Sequence, residues 1–211
     1  MLQKIRYLFS QDDREKLSGV VECDEVYIGG RNKWKHFSKR QPHTQGKSVK
    51  TKTPIFGMIE RTMIINDKGK PETMSVVRAM VVENCSERNL LPLINNYIEK
   101  DSFVFTDEAV SYNNVAFDDY RHFKCNHKAF QYVCEGGVYT NNIEGFWAYF
   151  RRMIVGCYHR ISKEHMQKYL NEAVYRWNTR KQTSVDRFVD MFKRCVGLVV
   201  PHERIKMCVV N

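Results

Sequence analysis

Three things are scarce in this chain, and each scarcity excludes something. No apolar run approaches the roughly 18 residues that a membrane span needs, so a membrane partner is not expected. The opening stretch MLQKIRYLFSQDDREK is amphipathic and charged, without the apolar segment and small-residue cleavage site of a secretory signal. A cytoplasmic address is the expectation. The seven cysteines (23, 85, 125, 134, 157, 195 and 208) include no CxxC pair. Neither a disulfide framework nor a structural zinc site is therefore expected, and buried free thiols are. Cys125 and His127, within CNH, are too isolated to form a ligand pair.

The third scarcity is local. Between Glu25 and Glu60 there is no acidic residue, although the chain as a whole carries 24 acids against 34 Lys and Arg for a net charge of +10. The segment RNKWKHFSKRQPHTQGKSVKTK, residues 31–52, holds Arg31, Lys33, Lys35, Lys39, Arg40, Lys47, Lys50 and Lys52, with Trp34, His36, Phe37 and His43 among them. Bases interleaved with rings suit a loop that tracks a phosphate backbone, charge meeting phosphate and rings stacking on bases. A solvated, flexible loop is the plainer alternative. The overall excess of positive charge points to a polyanionic partner, nucleic acid before membrane surface.

What is present reads as one compact domain with a sizeable core and no internal repeat. Residues 19–28 predict a strand. Residues 53–66 and 73–84 are β-branched and apolar around the turn DKGKP, and predict a hairpin. Residues 86–100 open on Ser86 as a helix cap, with Pro92 an uncomfortable guest. SFVFTD (102–107) and YRHFKC (120–125) predict short strands. Helices are expected over 141–155, over 162–180 with a stripe of Met166, Tyr169, Leu170, Ala173, Val174 and Trp177, and over 184–197. The order implies an α/β domain with a mixed sheet whose hairpin is its antiparallel part.

Acids stand in three apolar contexts. GVVECDEVYIGG places Glu22, Asp24 and Glu25 in a strand that belongs in a core, where an unpaired charge is costly. Asp107 ends SFVFTD, and Glu144 lies in the first turn of the helix NNIEGFWAYFRR. Singly, Asp107 could be a turn residue and Glu144 a first-turn acid favoured by the helix dipole. Asp24, between Val21 and Val26, has no evident local use. Jointly they make sense as a cage for divalent ions. Phosphodiester chemistry often uses two such ions about 4 Å apart, and magnesium takes hard oxygen ligands.

The stretches ECDEVYIGG, VFTDEAVSYNN and TNNIEGFWAYFRRMIVGCYHRIS resemble, in order and wording, the DDE-type insertion-sequence transposases of the ISXO-like group. The likeness spans residues 19–178. It implies an RNase H-like fold: a mixed β-sheet flanked by helices, with residues 1–18 a lead-in, 19–180 the catalytic domain carrying loop 31–52, and 181–211 a helical tail. It implies catalytic, metal-holding carboxylates at Asp24, Asp107 and Glu144, the last two with 36 residues between them. In part of the group an Asn just before that Glu fills the third place, and Asn141 stands there. A charged oxygen suits a hard dication better, which favours Glu144. Arg151, two turns on from Glu144 on the same face, and its neighbour Arg152 are the implied phosphate contacts.

The resemblance also implies Mg2+, with Mn2+ able to substitute, and DNA as partner, both transposon ends and target. A homodimer or larger assembly on DNA is expected. Two departures stand out: Tyr139 replaces a His common before the TN pair, and no zinc ribbon or helix-turn-helix precedes the first motif. Metal-dependent strand cleavage and strand transfer is the expected activity. A stand-alone nuclease of the same fold and a non-catalytic DNA-binding remnant of a transposon are the alternatives.

Overall fold

The structure, a computed structural model, describes residues 2–10, 15–29, 36–40, 42, 46–65, 68–107, 119–125 and 140–196. A short helix α1 (Leu2–Leu8) leads to β1 (Val20–Ile28), then the long hairpin of β2 (Thr53–Ile65) and β3 (Pro71–Val81). Helix α2 (Glu87–Tyr97) and the strands β4 (Phe103–Asp107) and β5 (Arg121–Cys125) follow. Three helices close the described chain: α3 (Asn141–Met153), α4 (Met166–Asn178) and α5 (Ser184–Cys195). The five strands form one sheet in the order β3-β2-β1-β4-β5, antiparallel through β3-β2-β1 and parallel from β1 outwards. This is the mixed, helix-flanked α/β sheet of an RNase H-like fold.

Strand alternation sorts β1 and β2 onto two cores. Val21 and Cys23 of β1 join Phe56 and Met58 of β2 against Leu90 and Ile94 of α2. On the other face, Val26, Ile55 and Ile59 meet Ile143, Phe146 and Phe150 of α3 and Leu170, Ala173 and Val174 of α4. The stripe expected on the second helix is therefore core, with Tyr169 and Trp177 packed at its margin. The lead-in is tied to the same layer, because Arg6 Nε donates to the Glu172 carboxylate at 2.8 Å and its guanidinium lies 4.1 Å from the Tyr169 ring centroid.

A sheet edge with unpaired amides invites pairing with another chain. Here α4 closes the outer edge of β3 with side-chain amides. Asn178 accepts from the Val77 N–H and donates to the Val77 carbonyl, at 2.8 and 2.9 Å. Gln167 accepts from the Val81 N–H at 2.6 Å.

Two sequence expectations are refined. The helix expected over 141–155 is α-helical only to Met153 and passes into a π-helical turn over Ile154–Tyr158. Gly156 weakens the helix there, and His159 at φ 55° ends it. The thiols are only partly interior: Cys23 and Cys85 are buried, while Cys157 and Cys195 are exposed.

Candidate active site

The parallel pairing of β1 with β4 runs from Val20↔Phe103 to Cys23↔Thr106. Asp24 and Asp107 are each the next residue, so they stand side by side where the two strands part. β1 continues to Ile28 against β2 alone, and β4 ends. Residues in register on neighbouring strands point to the same face, here the face that α3 covers.

Three acids lie close together on β1, and the structure meets each of them differently. Glu22 is fully buried and fully engaged. Its carboxylate accepts from the backbone N–H groups of Asn142 and Ile143, both at 3.0 Å, and from Asn142 Nδ2 at 2.8 Å. Arg61 of β2 lies 3.0 Å away as its ion pair. The Glu22 charge thus sits on the N-terminal turn of α3, where the helix leaves N–H groups without intrahelical partners. Burial pushes its carboxyl up from the ordinary value, and the bonds from α3 and the charge of Arg61 oppose that. Glu25 points to the opposite face, with Lys47 of the basic segment 3.6 Å away.

Asp24 is the third case. Its Oδ2 accepts from the indole N–H of Trp147 at 3.0 Å. Its carboxyl is pushed up to about 6, first by burial and then by the neighbouring charge of Glu25, with Asp107 and Glu144 adding to it. The effect of those last two places all three predicted carboxylates within one electrostatic neighbourhood. Among the described residues, no three His, Cys, Asp or Glu side chains already converge closely enough to enclose an ion. The group is an open acidic cluster.

α3 has a buried side and an exposed side. Ile143, Phe146, Trp147, Phe150 and Met153 face the core, while Asn141, Glu144 and Arg151 are exposed. Those three lie at i, i+3 and i+10, one face of the helix. Arg152 is exposed beside them. Trp147 can reach Asp24 only because β2 has no side chain in the way. Gly57 pairs with Asp24 across the antiparallel ladder, and a Cβ there would stand 2.4 Å from the indole ring. Sequence reading missed Glu22, Trp147 and Gly57 as parts of the site. A glycine inside the strand pattern PIFGMIE was the available signal, since a lone strand glycine often marks a close approach.

Of the predicted DNA-binding residues, Arg31, Lys33 and Lys35 lie outside the described residues. Lys39 and Arg40, at the end of a 3-10 turn over Phe37–Lys39, are exposed, as are Lys47 and Lys50.

An RNase H-like sheet with acids gathered where its two central parallel strands separate defines the class of domain. The ISXO2-like transposase domain matches residues 16–178, and the chain belongs to that family. It is also similar to an uncharacterized transposase-like protein of Haemophilus influenzae, 34% identical over 102 residues that cover 48% of this chain and 80% of that protein. Among the described residues no helix is long and apolar enough to cross a membrane.

Proposed function

We propose that this protein is a DDE-type transposase that performs metal-dependent strand cleavage and strand transfer on DNA, with Asp24, Asp107 and Glu144 as its catalytic carboxylates. The observation that carries the reading is the side-by-side position of Asp24 and Asp107 at the parting strands, with Glu144 close enough to act on the Asp24 charge. Membership of the transposase family gives the substrate class, DNA.

The residues fit a hard dication. Three carboxylates on two strands and a helix supply oxygen donors, and a cation would offset the burial and the like charges that raise Asp24. Asp24, Asp107 and Glu144 would hold Mg2+, or Mn2+ in its place. Bound there, the metal would lower the cost of deprotonating the attacking oxygen and of charge on the leaving one. Asn141, one turn before Glu144, is the alternative third ligand. Trp147 orients Asp24 by donating to Oδ2. Arg151 and Arg152 would receive a phosphate from the exposed side of α3, and Arg31, Lys33, Lys35, Lys39, Arg40, Lys47 and Lys50 would track the DNA backbone. In the first step water adds to the phosphodiester at the element end and a 3′-hydroxyl leaves. In the second that hydroxyl attacks target DNA and displaces a target 3′-oxygen.

The test is a cleavage and joining assay on DNA carrying the element's ends. Asp24→Asn, Asp107→Asn and Glu144→Gln should each lose both products while still shifting DNA on a gel. Cleavage without joined product would favour a stand-alone nuclease, and activity in all three variants would remove the reading. Full activity in Glu144→Gln with loss in Asn141→Ala would transfer the third role to Asn141. Neutralising Lys39, Arg40, Lys47 and Lys50 should flatten the dependence of log affinity on log salt by roughly 0.9 for each phosphate that is no longer neutralised. An unchanged slope would leave those bases as solvated surface.

A further inference from the structure

Helix α5 is turned the wrong way round for a helix at the edge of a single domain. Its half-buried residues are Arg187, Asp190, Met191 and Arg194, the largely polar side. That side meets α4: the Tyr175 hydroxyl donates to the Arg187 carbonyl at 2.8 Å, and the Arg194 guanidinium lies 5.5 Å from the Tyr175 ring centroid. Arg194 also donates to Asp190 at 3.0 Å on the same side. The opposite side carries Val185, Phe188, Val189 and Phe192, which with Val196 just past the helix are 43–76% exposed. The Phe188 and Phe192 rings stack with centroids 6.3 Å apart. A surface helix ordinarily buries its apolar stripe and shows its charges. A contiguous apolar stripe held outward by a polar anchor marks a surface awaiting a partner.

The charges beside the stripe say which partner. Asp186 and Lys193, both exposed, are seven residues apart and so flank the same margin of the stripe. The acid sits near one end and the base near the other. Two copies of α5 laid antiparallel about a two-fold axis near residue 190 bring Asp186 of each against Lys193 of the other. The same register faces Phe188 of each copy with Phe192 of the other. An isologous interface must be complementary to itself in this way, and a two-fold is the commonest route to it. We infer that the outward face of α5 is a homodimer interface, occupied by α5 of a second copy in antiparallel orientation. One helix pair covers less surface than the roughly 1,200–2,000 Å² of a standard stable interface, so the dimer should separate on dilution.

The inference does not depend on the catalytic reading, and its test uses no DNA. The mass of the full chain is followed by light scattering over about a hundredfold range of concentration, where mass action should move a weak dimer towards monomer. The paired substitution Phe188→Asp and Phe192→Asp should give monomer throughout with helix content and melting temperature unchanged, because both rings are exposed. Lys193→Asp alone and Asp186→Lys alone should each weaken the dimer, and the two together should restore it. Asp186→Lys loses the bond that Asp186 accepts from the Thr183 hydroxyl at 2.7 Å, while the Thr183 hydroxyl still accepts from the backbone N–H of residue 186, so helix content is followed in each variant. A full chain that is monomeric at every concentration overturns the inference, as does a dimer that survives the Phe pair. A charge swap that fails to restore association does the same. A monomeric wild type whose Phe variant melts lower also overturns it, and shows the stripe covered from within the chain.

Discussion

Glu22 and Asp24 are two residues apart, on the same face of one strand and under the same helix, yet their surroundings are opposite. Glu22 meets three hydrogen bonds from the start of α3 and the charge of Arg61. Asp24 meets the Trp147 indole N–H, a hydrogen bond from the Glu25 backbone and three like charges. Burying a carboxylate is tolerable only with partners. The first acid has them inside the protein and fixes where α3 sits. The second has two hydrogen-bond partners and no positive charge among the causes that act on it, and burial with the like charges raises its carboxyl. The difference separates a charge neutralised within the fold from one raised by its surroundings, and composition cannot make that distinction because both are acids in one apolar strand.

The comparison breaks most visibly at Glu22. Glu22→Gln removes the charge that faces Arg61 in a largely buried pair and should destabilise the fold by about 3–5 kcal/mol, read by denaturant unfolding. A loss under about 1 kcal/mol would mean that Glu22 is no more structural than a surface acid.

Asp24 should behave in the opposite sense, and pH sharpens the contrast. Its folded value of about 6 lies above the ordinary 3.8, so the folded state holds the proton more tightly than the unfolded chain. The stabilisation from that proton is complete below the unfolded value and is lost as pH rises through about 6. Asp24→Asn keeps an acceptor for Trp147 but does not ionise. Relative to wild type it should therefore gain stability between pH 4 and pH 7, by at most about 3 kcal/mol. Melting curves at the two pH values check this, and a constant difference would contradict the raised value.

Trp147→Phe tests the orientation of Asp24. It removes the N–H bonded to Asp24 and also the outer edge of the indole that lies against Gly57. A group that orients a metal ligand is worth about 10–100-fold in metal affinity. The variant should lose about tenfold in magnesium affinity, measured by calorimetry, besides the lower melting temperature that the shortened core side chain brings without metal. Unchanged affinity would reduce the indole N–H to packing.

Much of this was legible beforehand. The element order from β1 to α5 follows from β-branched runs, turn residues and apolar spacing; Asp24 stood out as an acid with no local use, and the family resemblance joined Asp107 and Glu144 to it. The partners of Glu22 were not legible. They depend on the β1–β2 register that brings Arg61 alongside and on the docking of α3, both tertiary. For the same reason 184–197 read as amphipathic from its spacing, while the side that faces α4 could be learned only from where Tyr175 and α1 sit.

The central claim is that Asp24 and Asp107 together hold a divalent ion. A thermal-shift titration with magnesium on wild type and on the double variant Asp24→Asn, Asp107→Asn tests it without requiring catalysis. Binding to the folded site alone should raise the wild-type melting temperature with concentration. Calcium should do the same. The double variant should start higher through relief of repulsion and gain nothing from either ion. Equal magnesium stabilisation of the two proteins would place the ions elsewhere and contradict the account.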